Sequence, residues 1–215
     1  GTQPSALFRS EDGGRSFSLV RGLWDHPHRP TWEPGGGGQA IHTILPDPAT
    51  DRVTVAMSTG GVYVSEDGAT GWAPRNRGIS AVFLPEPPEY GQCVHKVAVD
   101  AGDPARMYAQ NHFGVFRTDD AGGSWTSIAG GLPVDFGFPV VASPRTPGTA
   151  WVVPLVADIQ RVTPEGRLQV HRTRDAGETW TALTTGLPDA CWAAVVRDAA
   201  CAHRGAAGAR SRVEA

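Results

Sequence analysis

Side chains able to do chemistry gather in two stretches of the 215-residue chain. The first holds Trp24, Asp25, His26, His28, Trp32 and Glu33, followed by Gly35-Gly36-Gly37-Gly38; the second holds Glu86, Glu89, Tyr90 and Gln92. Rings beside carboxylates suit a sugar, because flat faces stack on a pyranose while acids bind hydroxyls or work as acid and base. The catalytic candidates are therefore Asp25, Glu33, Glu86, Glu89, Tyr90 and Asp158, and the ligand-contact candidates are Trp24, His26, Trp32, His42, His95 and His112. The plain alternative is a pair of packed loops whose rings fill space and whose acids are solvated. His42 and His95 stand 53 residues apart in matching contexts, Ala40-Ile41-His42-Thr43-Ile44 and Cys93-Val94-His95-Lys96-Val97. Such a pair binds a metal or an anion, shuttles protons, or is satisfied by a neighbouring carbonyl. The glycine run lacks a strand-to-helix context, so no phosphate cradle is expected. Cys93, Cys191 and Cys201 have no metal-type spacing, and neither a Ser/His/Asp nor a metal-hydrolase signature is present. No metal and no cofactor are assigned.

Composition narrows the class. Gly (27) and Pro (18) make up about a fifth of the chain, high but short of low-complexity disorder. Seven Trp and seven Phe need a core to bury them. The formal net charge is −3 and Lys96 is the only lysine, which argues against a nucleic-acid partner. No apolar run reaches the ~18–20 residues of a membrane helix, so a soluble chain is expected, with no membrane partner. No signal peptide is visible ahead of the globular pattern, which favours the cytoplasm, although the chain begins at Gly1 and its N-terminus looks incomplete.

The elements that must position these residues are announced by a repeat. Phe8-Arg9-Ser10-Glu11-Asp12-Gly13-Gly14-Arg15-Ser16-Phe17 returns as Phe116-Arg117-Thr118-Asp119-Asp120-Ala121-Gly122-Gly123-Ser124-Trp125 and as His171-Arg172-Thr173-Arg174-Asp175-Ala176-Gly177-Glu178-Thr179-Trp180. A worn copy runs Val64-Ser65-Glu66-Asp67-Gly68-Ala69-Thr70-Gly71-Trp72. The aspartates at 12, 67, 120 and 175 recur at 55, 53 and 55 residues. The pattern predicts a strand, a tight turn in which Asp accepts backbone N–H groups and Gly supplies positive φ, and a short strand whose leading ring enters the core. The structural set is Ser10, Asp12, Gly14, Phe17, Asp67, Trp72, Asp120, Gly122, Trp125, Asp175, Gly177 and Trp180. Ala69 and Gly71 replace the usual Gly and Ser/Thr, so the second turn is expected to be looser.

This motif resembles the Asp-box, or BNR repeat, of the sialidase-like β-propellers, found in sialidases, sortilin-type receptors, xyloglucan-cleaving glycosidases and photosystem assembly factors. The resemblance implies an all-β propeller of four-stranded antiparallel blades, and it places the box at a structural corner away from any active site. Each ~54-residue unit fits one blade. The expected division is a partial blade over 1–20 with the third and outer strands, blades over 21–75, 76–128 and 129–184, the start of a further blade over 185–198, and a disordered tail over 199–215. The chain therefore reads as a piece of a larger propeller, and open blade edges imply self-association.

In that frame the two chemistry-bearing stretches are enlarged loops on the face opposite the boxes, where His112 and Asp158 also reach. Two functions follow: a scaffold binding a carbohydrate, small molecule or partner through that face, or a glycoside-hydrolase-like enzyme with paired carboxylates. The sialidase pattern is incomplete, because no Arg-Ile-Pro segment occurs and no arginine triad can be assigned. Tyr90 beside Glu89 or Glu86 is the sole nucleophile-like pair.

Overall fold

A computed structural model of the chain describes residues 1–81 and 88–202. They form two compact units, Gly1–Val94 and His95–Ala215. In the first, β1 (Phe8–Arg9) pairs with β2 (Ser18–Leu19), and a single helical turn, α1 (Arg21–Trp24), follows. A four-stranded sheet then runs in chain order through β3 (Ile41–Pro46), β4 (Val53–Met57), β5 (Gly61–Ser65) and β6 (Ala73–Pro74). The second unit carries two more such sheets. One is β7 (Val94–Val99), β8 (Met107–Asn111), β9 (Gly114–Thr118) and β10 (Thr126–Ser127); the other is β11 (Gly137–Ala142), β12 (Ala150–Pro154), β13 (Val170–Thr173) and β14 (Thr181–Leu183). The all-β reading, with three full four-stranded blades and a partial one, holds.

The middle strands explain the blades. Apart from half-buried Val53, every residue of β4 and β5 is buried, which is why these strands read as nearly continuous apolar runs rather than alternating ones. Val55, Met57 and Tyr63 meet Leu7, Val20, Leu23 and Trp32 in one cluster, so the partial blade and α1 cover one face of the first full blade. In the second unit Tyr108, Val115 and Ile128 of one blade pack with Val140, Ala150, Val152 and Ala176 of the next. Each such aliphatic side chain contributes about 1.5–3 kcal/mol on burial.

The repeat turn is built alike in all four places. The Ser10, Ser65, Thr118 and Thr173 hydroxyls donate to the first carboxylate oxygen of Asp12, Asp67, Asp120 and Asp175 at 2.7–2.8 Å. Each hydroxyl also accepts the N–H of the residue two past the aspartate, at 2.7–2.9 Å. Both residues after the aspartate have positive φ in every copy: Gly13 and Gly14, Gly68 and Ala69, Ala121 and Gly122, Ala176 and Gly177. That conformation accounts for the glycines of the motif; Ala69 (φ 73°), Ala121 (φ 56°) and Ala176 (φ 59°) adopt it at a cost that only the first copy, with Gly13 and Gly14, avoids. The aspartate accepts the N–H four residues on, which removes that donor from the ladder. The outer strands therefore begin only after the ring, at Thr126 and Thr181, later than the motif suggests.

Two expectations change. Phe17 does not enter a core: it is 63% exposed, whereas Trp125 is 4% exposed and Trp72 and Trp180 are half-buried. Trp180 shows what seats such a ring, since its Nε1 donates to the Ile128 carbonyl of the preceding blade at 2.7 Å. Residues 191–196 form no strand. The Thr163 hydroxyl donates to the Cys191 carbonyl, the Cys191 N–H donates to Gly166, and Val195 packs on Val153 and Leu168.

In three copies a second hydroxyl closes the turn, from Ser16, Ser124 or Thr179 to the other carboxylate oxygen at 2.6–2.9 Å. Gly71 has none, and its N–H is shared between both oxygens of Asp67 at 2.8 and 3.0 Å. A Cβ at Gly71 would sit 3.0 Å from Asp67 Oδ2, an atom at the end of a flexible side chain. Gly71→Ser is therefore expected to stabilise the first unit by about 0.5–1.5 kcal/mol, from one added hydrogen bond and a stiffer unfolded chain. Thermal unfolding of the variant beside the parent reads this directly.

These hydrogen bonds also set acidity. The Thr179 hydroxyl, then its N–H, then the Thr173 hydroxyl hold the Asp175 carboxyl down to about 2. The unfolded chain releases that proton near pH 4, so this contribution is complete above pH ~4 and is lost as pH falls towards 2. Asp175→Asn is expected to flatten the acid limb of the stability profile over that window, measured by circular dichroism during denaturant titration.

Candidate functional site

In the first unit the loop after β2 folds over the β4–β5 turn. The Ser58 N–H donates to the Ala40 carbonyl, and the Gly91 N–H donates to the Gly60 carbonyl, so both chemistry-bearing stretches reach that turn. Five rings meet there. His28 lies flat on Tyr90 with centroids 3.9 Å apart and planes 17° apart, while His26 and Trp32 stand edge-on to Tyr63 at 5.1 and 5.3 Å. Trp32 Nε1 donates to the Tyr63 hydroxyl at 3.2 Å, and His28 Nδ1 lies 2.9 Å from the same oxygen. An indole N–H only donates, so one hydroxyl satisfies both neighbours when it donates to His28. The Thr31 hydroxyl donates to that of Tyr90 at 3.3 Å. Trp24, at the end of α1, carries the Arg29 guanidinium 3.6 Å above its ring.

Electrostatics make this a platform rather than a nucleophile. Burial, foremost, pushes the Tyr63 phenol well above its usual range, the opposite of what an attacking phenolate requires. Burial, and next His28, favour the neutral form of His26, against the Trp72 backbone and then Glu89, which favour its charged form. Its Nδ1 accepts the His28 N–H at 3.1 Å, which fixes the loop backbone. Among the described residues, the acids of these stretches do not converge on the rings by hydrogen bonds. Asp25 pairs with Arg21 at 3.2 Å, Glu33 and Glu89 are exposed, and Glu86 lies outside the described residues. Gln92 is buried and donates to the carbonyls of Ile79 and Pro88. His42 Nε2 lies 2.6 Å from the Ser58 hydroxyl.

The second unit groups other candidates. His95 is buried on β7 with Nδ1 2.6 Å from the Gly137 carbonyl. His112, in the β8–β9 turn, pairs through Nδ1 with Asp158 Oδ2 at 3.2 Å, and Arg161 holds the other oxygen at 2.6 Å. Phe136 and Phe138 wall the pair, and the guanidiniums of Arg161 and Arg197 stand 5.4 and 5.5 Å from the Phe138 ring centre. Wherever a carboxyl pKa moves among the described residues, as at Asp12, Asp47, Asp67, Asp119, Asp120 and Asp175, it moves down. A general acid needs the reverse.

Solved structures of similar fold can now be set beside this geometry. The GH74 xyloglucanase of Xanthomonas campestris superposes with a TM-score of 0.62 at 20% identity, over 86% of this chain and 28% of that one. The GH74 enzyme of Niastella koreensis gives 0.53 at 17%, over 84% and 28%. An ancestral GH74 enzyme gives 0.52 at 19%, over 77% and 21%. The fold is that of a β-propeller. The chain spans less than a third of the length of these relatives in fold. No protein-family model and no curated protein matches the sequence. No helix among the described residues is long and apolar enough to cross a membrane.

Sequence reasoning passed over Tyr63, Arg29, Thr31, Arg161, Phe136 and Phe138. Tyr63 had a signal. Aligned on the repeats, it shares a column with Phe8, Phe116 and His171, so it brings a hydroxyl to a place that two copies fill with plain hydrocarbon.

Proposed function

We propose that the chain is an Asp-box propeller of the sialidase-like class that acts as a binding scaffold, with a carbohydrate as ligand at the aromatic platform of the first unit. The observation that carries this reading is the layering of His28 on Tyr90 beside Trp32, Tyr63 and Trp24. The half-exposed rings of His28, Tyr90 and Trp24, backed by buried Trp32 and Tyr63, suit the C–H face of a pyranose, and exposed Glu33, Glu89 and Thr31 on the same loops suit its hydroxyls. Binding is favoured over hydrolysis because Asp25 is engaged by Arg21 and Asp158 by His112 and Arg161.

The test is calorimetric titration of the full chain with xyloglucan oligosaccharides and cello-oligosaccharides. Saturable binding is expected, weakened about tenfold in Tyr90→Ala through loss of one stacking surface. Equal affinity of Tyr90→Ala and parent would remove the platform from the reading. Hydrolysis by the parent that disappears in Glu33→Gln/Glu89→Gln would replace it with an enzyme.

A further inference from the structure

His95 and His112 form a pair that the carbohydrate reading does not use. A carbonyl can only accept, so His95 Nδ1 donates to Gly137, and in the neutral ring the lone pair lies at Nε2. The Asp158 carboxylate likewise accepts from Nδ1 of His112, leaving the lone pair of that neutral ring at Nε2. The rings are 4.6 Å apart between centroids, and a nitrogen of one lies within 4.8 Å of a nitrogen of the other. Burial above all, with Arg161 and Arg197, favours the neutral ring of His112 over the opposing pull of Asp158. A carbonyl or carboxylate behind each Nδ1 is the outer support that metal-bound imidazoles use, fixing the tautomer and aiming the ring.

We propose that His95 and His112 bind a divalent transition-metal ion of the zinc, nickel or copper type through their Nε2 atoms. Imidazole selects these ions over magnesium or calcium, which prefer oxygen ligands. Metal–nitrogen bonds of about 2.0–2.1 Å in tetrahedral geometry bring the two nitrogens to roughly 3.3 Å, inside the 4.8 Å bound on their separation here, so any adjustment of the rings is small. His95 is held on a strand, whereas His112 sits half-buried in the β8–β9 turn and makes any such movement. Asp158, anchored by Arg161, acts as the positioning residue behind His112.

The experiment is calorimetric titration of the full chain with Zn2+ alone and with Mg2+ alone, together with nitrogen NMR of the imidazoles. The expected result is saturable Zn2+ binding that moves the Nε2 signals of His95 and His112 and spares His171, with no response to Mg2+. Asp158→Asn keeps both ligands and is expected to weaken binding 10–100-fold, by about the usual effect of an outer-shell partner. His112→Gln is expected to weaken it by about 100-fold or more, with near-ultraviolet circular dichroism confirming its fold. Should His112→Gln fail to fold, the parent's imidazole signals and Asp158→Asn decide. Absence of saturable Zn2+ binding overturns the proposal, as do bound Zn2+ that leaves the His95 and His112 signals in place and an Asp158→Asn variant that titrates like the parent.

Discussion

Asp100→Ala is expected to cost the second unit about 2–6 kcal/mol, the combined scale for leaving two buried polar groups unpaired. The carboxylate is 5% exposed. It accepts the Tyr108 hydroxyl at 2.9 Å, the Gly148 N–H at 2.7 Å and the Gly102 N–H at 2.9 Å. Tyr108 belongs to β8, while Gly148 lies in the β11–β12 turn of the next blade, so one side chain ties two blades together. Alanine strands a phenol and an amide in a space closed to water, each at about 1–3 kcal/mol. Tyr108→Phe is the milder control, since Asp100 keeps its two backbone partners; a loss of about 1–2 kcal/mol is expected. Denaturant unfolding of both variants separates the cases. Equal losses would mean that the Gly148 and Gly102 bonds carry little.

Gly22→Ala tests how the aromatic platform is seated. A methyl group at Gly22 would lie 1.8 Å from the Thr70 carbonyl oxygen and 2.8 Å from its carbon, so α1 rests directly on the repeat turn of the first full blade. Alanine improves a helix position by about 1 kcal/mol, but α1 is only four residues long and the obstacle is backbone. Overpacking of this kind costs about 1–3 kcal/mol and outweighs the gain in propensity. Relief requires α1 to move, carrying buried Leu23 and the Trp24–Arg29 stack with it. The expected result is a lower melting temperature together with weaker oligosaccharide binding. An unchanged melting temperature would mean that the loop yields without strain.

The repeat carried the blades openly, because every turn solves its hydrogen bonding within ten residues and so leaves its pattern in the sequence. Middle strands were legible for a related reason: burial on both faces makes Val53–Met57 and Gly61–Ser65 nearly all apolar or small. The ends of the outer strands were not, since turn hydrogen bonds and ladder hydrogen bonds compete for the same N–H groups. Phe17 is aromatic and holds the same place as buried Trp125 and half-buried Trp72 and Trp180, but burial of that ring depends on a surface beside it, which its own repeat does not encode. The platform is legible only in part. Trp24, His26, Trp32 and Tyr90 could be named from two loops, yet the bond of His28 to Tyr63, 35 residues apart, and the stack of His28 on Tyr90 belong to tertiary folding.

One recurring contact has a consequence in time. Arg9 donates to the Gly68 carbonyl at 3.3 Å, and Arg117 donates to the Ala176 carbonyl at 2.8 Å. The two pairs occupy the same places in the repeat and span the same 59 residues. Each arginine thus leaves the ribosome one blade ahead of the carbonyl that receives it. At about 5–20 residues per second the delay is roughly 3–12 s. During that interval a newly made blade has its own ladder but not its latch. Synthesis therefore fastens these two junctions in arrears, the earlier partner secured by the birth of the later one.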